Sequence, residues 1–152
     1  MFAGALSAST VSAQATPPAP AQQATPAKSP YLFSADAAIT LNFIKADKTA
    51  DFEMIVAKLK EALGKSPRPE RAEQAASWKI YKATETGPGG SIIYVFVIDP
   101  VVKGSDYTVS TILAEGFASD VQSLYRKLAD CYSSLNILNL SLVSALGQQD
   151  TK

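Results

Sequence analysis

The run Ser91-Ile92-Ile93-Tyr94-Val95-Phe96-Val97-Ile98 constrains the fold more than any other stretch, because seven of its eight residues are apolar or aromatic. A strand buried on one face alternates apolar and polar residues, and this one does not. It reads as a strand covered on both sides at the middle of a sheet. Gly87-Pro88-Gly89-Gly90 precedes it and Asp99-Pro100 follows it, so both ends are marked by turn residues. A chain of 152 residues has few elements with which to cover two sheet faces, and is expected to form one domain around a modest core.

The flanking segments supply those elements. Ala38–Lys45 alternates, with Ile39, Leu41 and Phe43 on one side and Thr40, Asn42 and Ile44 on the other, which predicts a first strand. Thr49 is expected to cap a helix with Asp51 and Glu53 in its first turn. Phe52, Ile55, Val56, Leu59 and Leu63 recur along it at helical spacing, until Gly64, Pro67 and Pro69 stop it. Residues 69–76 predict a short second helix with Pro69 in the first turn. Trp78–Glu85 is a second strand, joined by a hairpin loop over 86–90 to the central one. The expected register places Trp78 opposite Ile98, Ile80 opposite Phe96 and Lys82 opposite Tyr94, with Glu85 meeting Ser91. A helix from Ser105 or Asp106 to Phe117 follows, then another opened by a capping box at Ser119–Gln122 with a stripe of Val121, Leu124, Tyr125, Leu128 and Tyr132. A last strand spans 135–143.

Strand, helix, strand, hairpin, strand, helix, strand is the ferredoxin-like βαββαβ order, an α+β fold with a four-stranded antiparallel sheet and helices on one face. Its usual strand order puts the first and third strands inside, where the apolar run belongs. The helices are expected against Leu41, Phe43, Val95, Val97, Leu138, Leu140 and Leu142. The opposite face then collects Asn42, Trp78, Tyr94, Phe96 and Asn139, aromatic at its centre and larger than the apolar patches monomers usually expose. Covering it calls for a second copy, a ligand or the N-terminal segment. A two-fold homodimer, the commonest assembly, would enclose a cavity lined by those five residues.

Residues 1–15 read as the remnant of a signal peptide, with Ala13-Gln14-Ala15 at the small-x-small cleavage pattern, although no Lys or Arg precedes Lys28. Pro, Ala, Gln and Thr dominate residues 16–35, a disordered linker leaning to polyproline II. The ferredoxin-like domain is expected over 36–146 and a flexible tail over 147–152. No run approaches the ~20 apolar residues of a membrane span. An exported protein, periplasmic or extracellular, follows from this pattern.

Several chemistries are disfavoured by composition. The chain has no histidine, which removes the commonest general base and metal ligand, and a Ser-His-Asp triad with it. Its single cysteine, Cys131, excludes an intrachain disulfide and a Cys-rich metal site, and is expected to be buried and inert. Lys+Arg and Asp+Glu number 14 each, so no basic excess points to nucleic acid. Gly87–Gly90 lacks the Lys-Ser/Thr and the following helix of a phosphate loop, leaving a hairpin turn. Capping accounts for Asp106 and Asp120, and Asp99 and Glu115 show no pairing that marks acid–base catalysis. No catalytic residue, metal site or cofactor is assigned.

Across residues 38–143 the element order and the apolar third strand resemble the dimeric α+β barrel superfamily, which includes antibiotic-biosynthesis-monooxygenase-like domains, haem-degrading monooxygenases and stress-responsive barrel proteins. The resemblance implies a homodimer. Haem-using branches rely on a histidine ligand that is missing here, whereas cofactor-independent oxygenases of the group use aromatic and amide side chains in a cavity, places that Asn42, Trp78 and Tyr94 could occupy. Fold alone does not grant that activity. The expected function is therefore a non-catalytic exported homodimer that binds a small apolar ligand or a partner. The alternatives are a cofactor-independent monooxygenase acting on an aromatic substrate, and a module that adds a partner strand to an open sheet edge.

Overall fold

A computed structural model describes residues 28–147. Its strands are β1 (Ala37–Ile44), β2 (Trp78–Thr86), β3 (Ile92–Ile98) and β4 (Tyr132–Leu140). The helices among the described residues are α1 (Thr49–Lys65), α2 (Pro69–Ser77), α3 (Val109–Gly116) and α4 (Val121–Cys131). The sheet is antiparallel throughout in the order β2-β3-β1-β4, an α+β arrangement consistent with the ferredoxin-like pattern. The apolar run forms β3, inside the sheet as expected. Trp78 pairs with Ile98, Ile80 with Phe96 and Lys82 with Tyr94. Beyond Lys82 the register shifts so that Thr86, not Glu85, returns to the ladder opposite Ile92. Gly89 and Gly90 take φ of 67° and 74° in the turn, a backbone region that side chains disfavour.

The assignment of faces is the reverse of the expected one. The helices cover Ala38, Thr40, Asn42 and Ile44 of β1 and Tyr94, Phe96 and Ile98 of β3, all buried. Phe52 of α1 sits on this layer, 4.7 Å from the Tyr94 ring and 6.1 Å from that of Phe96. The opposite face is mainly aliphatic, with Phe43 and Tyr81 among it, and open: Ile39, Leu41, Phe43, Ile93, Val95 and Val97 are half-buried, and Leu138 is 46% exposed. Both sides of β3 are apolar, so its pattern carries no facing signal. The aromatic side is the bulkier and fills the space under the helices. Thr40 and Asn42, polar residues expected to face away from the helices, are instead satisfied inside: Asn42 Nδ2 donates to Thr40 Oγ1 at 3.1 Å and to the Tyr94 carbonyl at 3.0 Å.

Element ends also move. Lys48 rather than Thr49 stands at the cap position of α1, and Asp120 rather than Ser119 at that of α4, neither with a side-chain capping bond. Tyr132 begins β4 instead of ending the helix, which draws the strand back to Leu140 and leaves Leu142 and Val143 exposed beyond it. The packed domain starts before residue 36: Phe33 is buried against Tyr107, and Leu32 bridges to Asp106. Side-chain and backbone bonds to the rest of the domain order this end of the expected linker. The expected leader, the rest of the expected linker and residues 148–152 lie outside the described residues.

Candidate functional site

Between the helix-covered side of the sheet and the α3–α4 pair lies a cavity of about 330 Å³. Its floor is the sheet, through Thr40, Asn42, Phe96, Ile98 and Trp78. Leu128 and Ala129 of α4 form one wall with Tyr125 at the rim, and Tyr107 to Ser110, leading into α3, form another. Tyr132 and Leu135 of β4 close one side, and Tyr31 and Phe33 of the N-terminal segment lean over it. Seven of the sixteen lining residues are aromatic, and none carries a formal charge.

The polar groups of the floor satisfy one another. Both Asn42 amide hydrogens point to oxygens of Thr40 and Tyr94, and the Tyr132 hydroxyl donates to Asn42 Oδ1 at 3.1 Å. Burial pushes the Tyr132 phenol well above its ordinary value, so it stays neutral through the physiological range. Trp78 packs edge-on against Phe96 and Tyr107, with ring centroids 5.7 and 5.3 Å away. Its Nε1 is buried without a partner, and an orphaned donor of this kind costs about 1–3 kcal/mol.

The rim is held from outside. Arg71 of α2 is 1% exposed and grips Glu115 of α3 at both carboxylate oxygens, Nε to Oε2 at 2.9 Å and Nη2 to Oε1 at 2.6 Å. Its Nη1 donates to Gln74 Oε1 and to the Asp106 carbonyl, each at 2.6 Å. Asp106 Oδ1 in turn accepts from the Thr108 backbone N–H at 2.9 Å and from its hydroxyl at 2.6 Å. Ser29 and Thr108 hydroxyls lie 3.1 Å apart, and Tyr107 N–H donates to the Tyr31 carbonyl, which straps the N-terminal segment across the opening. Buried, bidentate guanidinium–carboxylate bonds are geometrically specific, so this network fixes where the 106–110 loop sits.

Of the five residues expected in a cavity, the structure brings Asn42, Trp78 and Phe96 together, inside the protomer rather than between two copies. Tyr94 lies beneath α1, its hydroxyl donating to Glu53 Oε1 at 2.6 Å, outside the lining. Asn139 is exposed on the edge strand opposite Ala38 and does not line the cavity. Tyr31, Phe33, Tyr107, Tyr125 and Tyr132 were not among the expected site residues. Tyr125 and Tyr132 lie seven residues apart and read as an ordinary core stripe. Tyr31 and Phe33 fall within the segment expected to be a disordered linker, and their being aromatics at the end of a Pro-rich stretch is the signal that could have found them.

Cys131 is buried, with its thiol donating to the Lys127 carbonyl at 3.1 Å and pushed up by burial, as expected for an inert side chain. Among the described residues no cluster of His, Cys, Asp or Glu is arranged to hold a metal ion, and no helix is long and apolar enough to cross a membrane. No protein-family model matches the chain, and neither a curated protein nor a solved structure matches it.

Proposed function

We propose that the protein is an exported, non-catalytic homodimer that binds a small, mainly apolar molecule in the cavity of each protomer. The observation that carries this is the cavity itself, about 330 Å³ in volume and walled by uncharged, largely aromatic residues. Such a hollow favours a compact apolar guest and gives a charged head group with a large hydration shell nothing in exchange. Export rests on the leader pattern of residues 1–15. Dimerisation rests on the open sheet face, whose centre is Leu41, Val95 and Val97. Covering a few hundred Å² of apolar surface contributes several kcal/mol at about 25 cal/mol per Å², before association costs. Sheet against sheet in this way is the dimeric α+β barrel arrangement.

The chain's only tryptophan stands in the cavity wall, so its fluorescence reports occupancy directly. Titration with indole, p-cresol and 1-naphthol, which themselves absorb where tryptophan does, is followed by calorimetry instead, and is expected to give saturable heats and raise the melting temperature. Ala129→Phe, which fills the mouth from an exposed helix position, is expected to abolish the response without unfolding the domain. Absence of any saturable response in the unaltered protein would remove the ligand-binding reading.

A cofactor-independent monooxygenase is the second reading, favoured by Asn42 and Trp78 sharing one cavity with Tyr132. Deprotonating a quinol-like substrate calls for a base near neutrality, and the lining holds no carboxylate, amine or imidazole, while burial pushes the Tyr132 phenol further up. Oxygen uptake with a naphthohydroquinone, abolished by Asn42→Ala and by Trp78→Phe, would decide in favour of the enzyme.

A further inference from the structure

We propose that the guest is a quaternary ammonium, a trimethylammonium compound of about the size of choline; this rests on the cavity being a ligand site. The ring-bearing residues reach the hollow from six places in the chain, namely the N-terminal segment, β2, β3, the loop before α3, α4 and β4. Aromatic rings carry negative faces that attract cations, most effectively where water is excluded, and methylated ammonium groups are the cations most easily stripped of water.

The hydrogen-bonding character of the lining points the same way. The amide hydrogens of Asn42 and the hydroxyl hydrogen of Tyr132 are spent within the floor, and the Thr108 hydroxyl is spent on Asp106 Oδ1. The remaining hydroxyls of the lining, among them those of Tyr31, Tyr107 and Tyr125, are neutral groups that can accept as well as donate. A carboxylate or phosphate guest would meet neutral hydroxyls alone, with its charge uncompensated, since no Lys or Arg lines the hollow. The positive end of α3 would oppose a cation at the rim, but the Asp106 carboxylate already lies against the backbone N–H of its cap residue, Thr108. A primary ammonium or a metal ion would lose its hydration with no carboxylate in the lining to replace it. A trimethylammonium group loses little and presents an apolar skin to the same walls.

Choline and its uncharged isostere 3,3-dimethylbutan-1-ol, which differ by one nitrogen-for-carbon exchange, separate charge from shape. Followed by Trp78 fluorescence and calorimetry on the full chain, choline is expected to bind at least tenfold more tightly than the alcohol. Tyr125→Ala, at a 54% exposed rim position that can lose its ring without a core defect, is expected to reduce that ratio, and Tyr125→Phe to keep it. Equal or tighter binding of the alcohol overturns the cationic class while leaving the apolar cavity reading intact. Binding of neither probe also overturns it, and the response to indole, p-cresol and 1-naphthol then tells whether the cavity reading falls as well.

Discussion

Arg71 is the residue on which the rim of the cavity depends. It is buried, yet each direction of its guanidinium finds an acceptor on Glu115, Gln74 or the Asp106 carbonyl. Replacing it with Met leaves Gln74 Oε1 without its donor, Glu115 with Arg68 alone and the Asp106 carbonyl with Gln74 Nε2 alone, a loss of buried charge-assisted hydrogen bonds that costs about 1–3 kcal/mol. Urea unfolding of Arg71→Met should show a loss of that order, and the Trp78 emission should shift as the 106–110 loop loosens. The same pair predicts a pH dependence. The Arg71 guanidinium holds the Glu115 carboxyl below the ordinary carboxylate range. A folded-state value below the unfolded one means stability that is fully present above about pH 4.3 and is lost as pH falls through the folded value. Melting temperature measured from pH 7 down to pH 2 should therefore decline on the acid side, and Glu115→Gln should start lower and decline less steeply. Sequence inspection placed neither partner in this pair, because 44 residues separate them and only the docking of α2 beside α3 brings them together.

At the scale of elements, the packing of α1 against α3 turns on one missing side chain. A Cβ built on Gly116 would lie 2.7 Å from the Cβ of Ala62 and 3.0 Å from its Cα. Ala62 is itself buried in α1 and cannot swing aside. Gly116→Ala gains helix propensity but forces the two helices apart, a strain of about 1–3 kcal/mol. Its net effect should be destabilising by roughly 1–2 kcal/mol in denaturant unfolding, the opposite sign to a surface Gly→Ala change in a helix. Gly116 falls at the end of α3, where a glycine needs no further reason. Its role as a contact point depends on which helix lies opposite, and periodicity within one segment holds no information about that. The hairpin is the contrary case. The apolar pattern of both strands is local and gives the register from Trp78 to Lys82, whereas the shift between Lys82 and Thr86 beside the loop is not written in the turn glycines or the loop length.

For the whole molecule, the open sheet face separates dimerisation from ligand binding, since the cavity lies on the other side of the sheet. Leu41→Lys and Val95→Lys place charges at the centre of that face, where burial against a second copy would be prohibitive. Sedimentation velocity should show a dimer for the unaltered protein and a monomer for either variant, with the calorimetric response to ligand retained in both. A monomer for the unaltered protein at ~100 μM would end the dimer proposal and leave the cavity proposal standing. Leu138 and Leu140 extend the same apolar surface to the β4 edge.

The sequence by itself determined the elements and their order, the inner position of β3, and the absence of histidine chemistry, because all of these depend on local pattern or on composition. Only the tertiary structure decided which side of the sheet the helices cover. An apolar strand such as β3 permits either side, and polar residues such as Asn42 and Thr40 can be buried once their hydrogen bonds are met by neighbours distant in sequence. That choice of side moved Asn42, Trp78 and Phe96 from an expected interface to the inside of the protomer. It joined them to Tyr31, Tyr107 and Tyr132, which come from segments whose local patterns give no sign of a common destination.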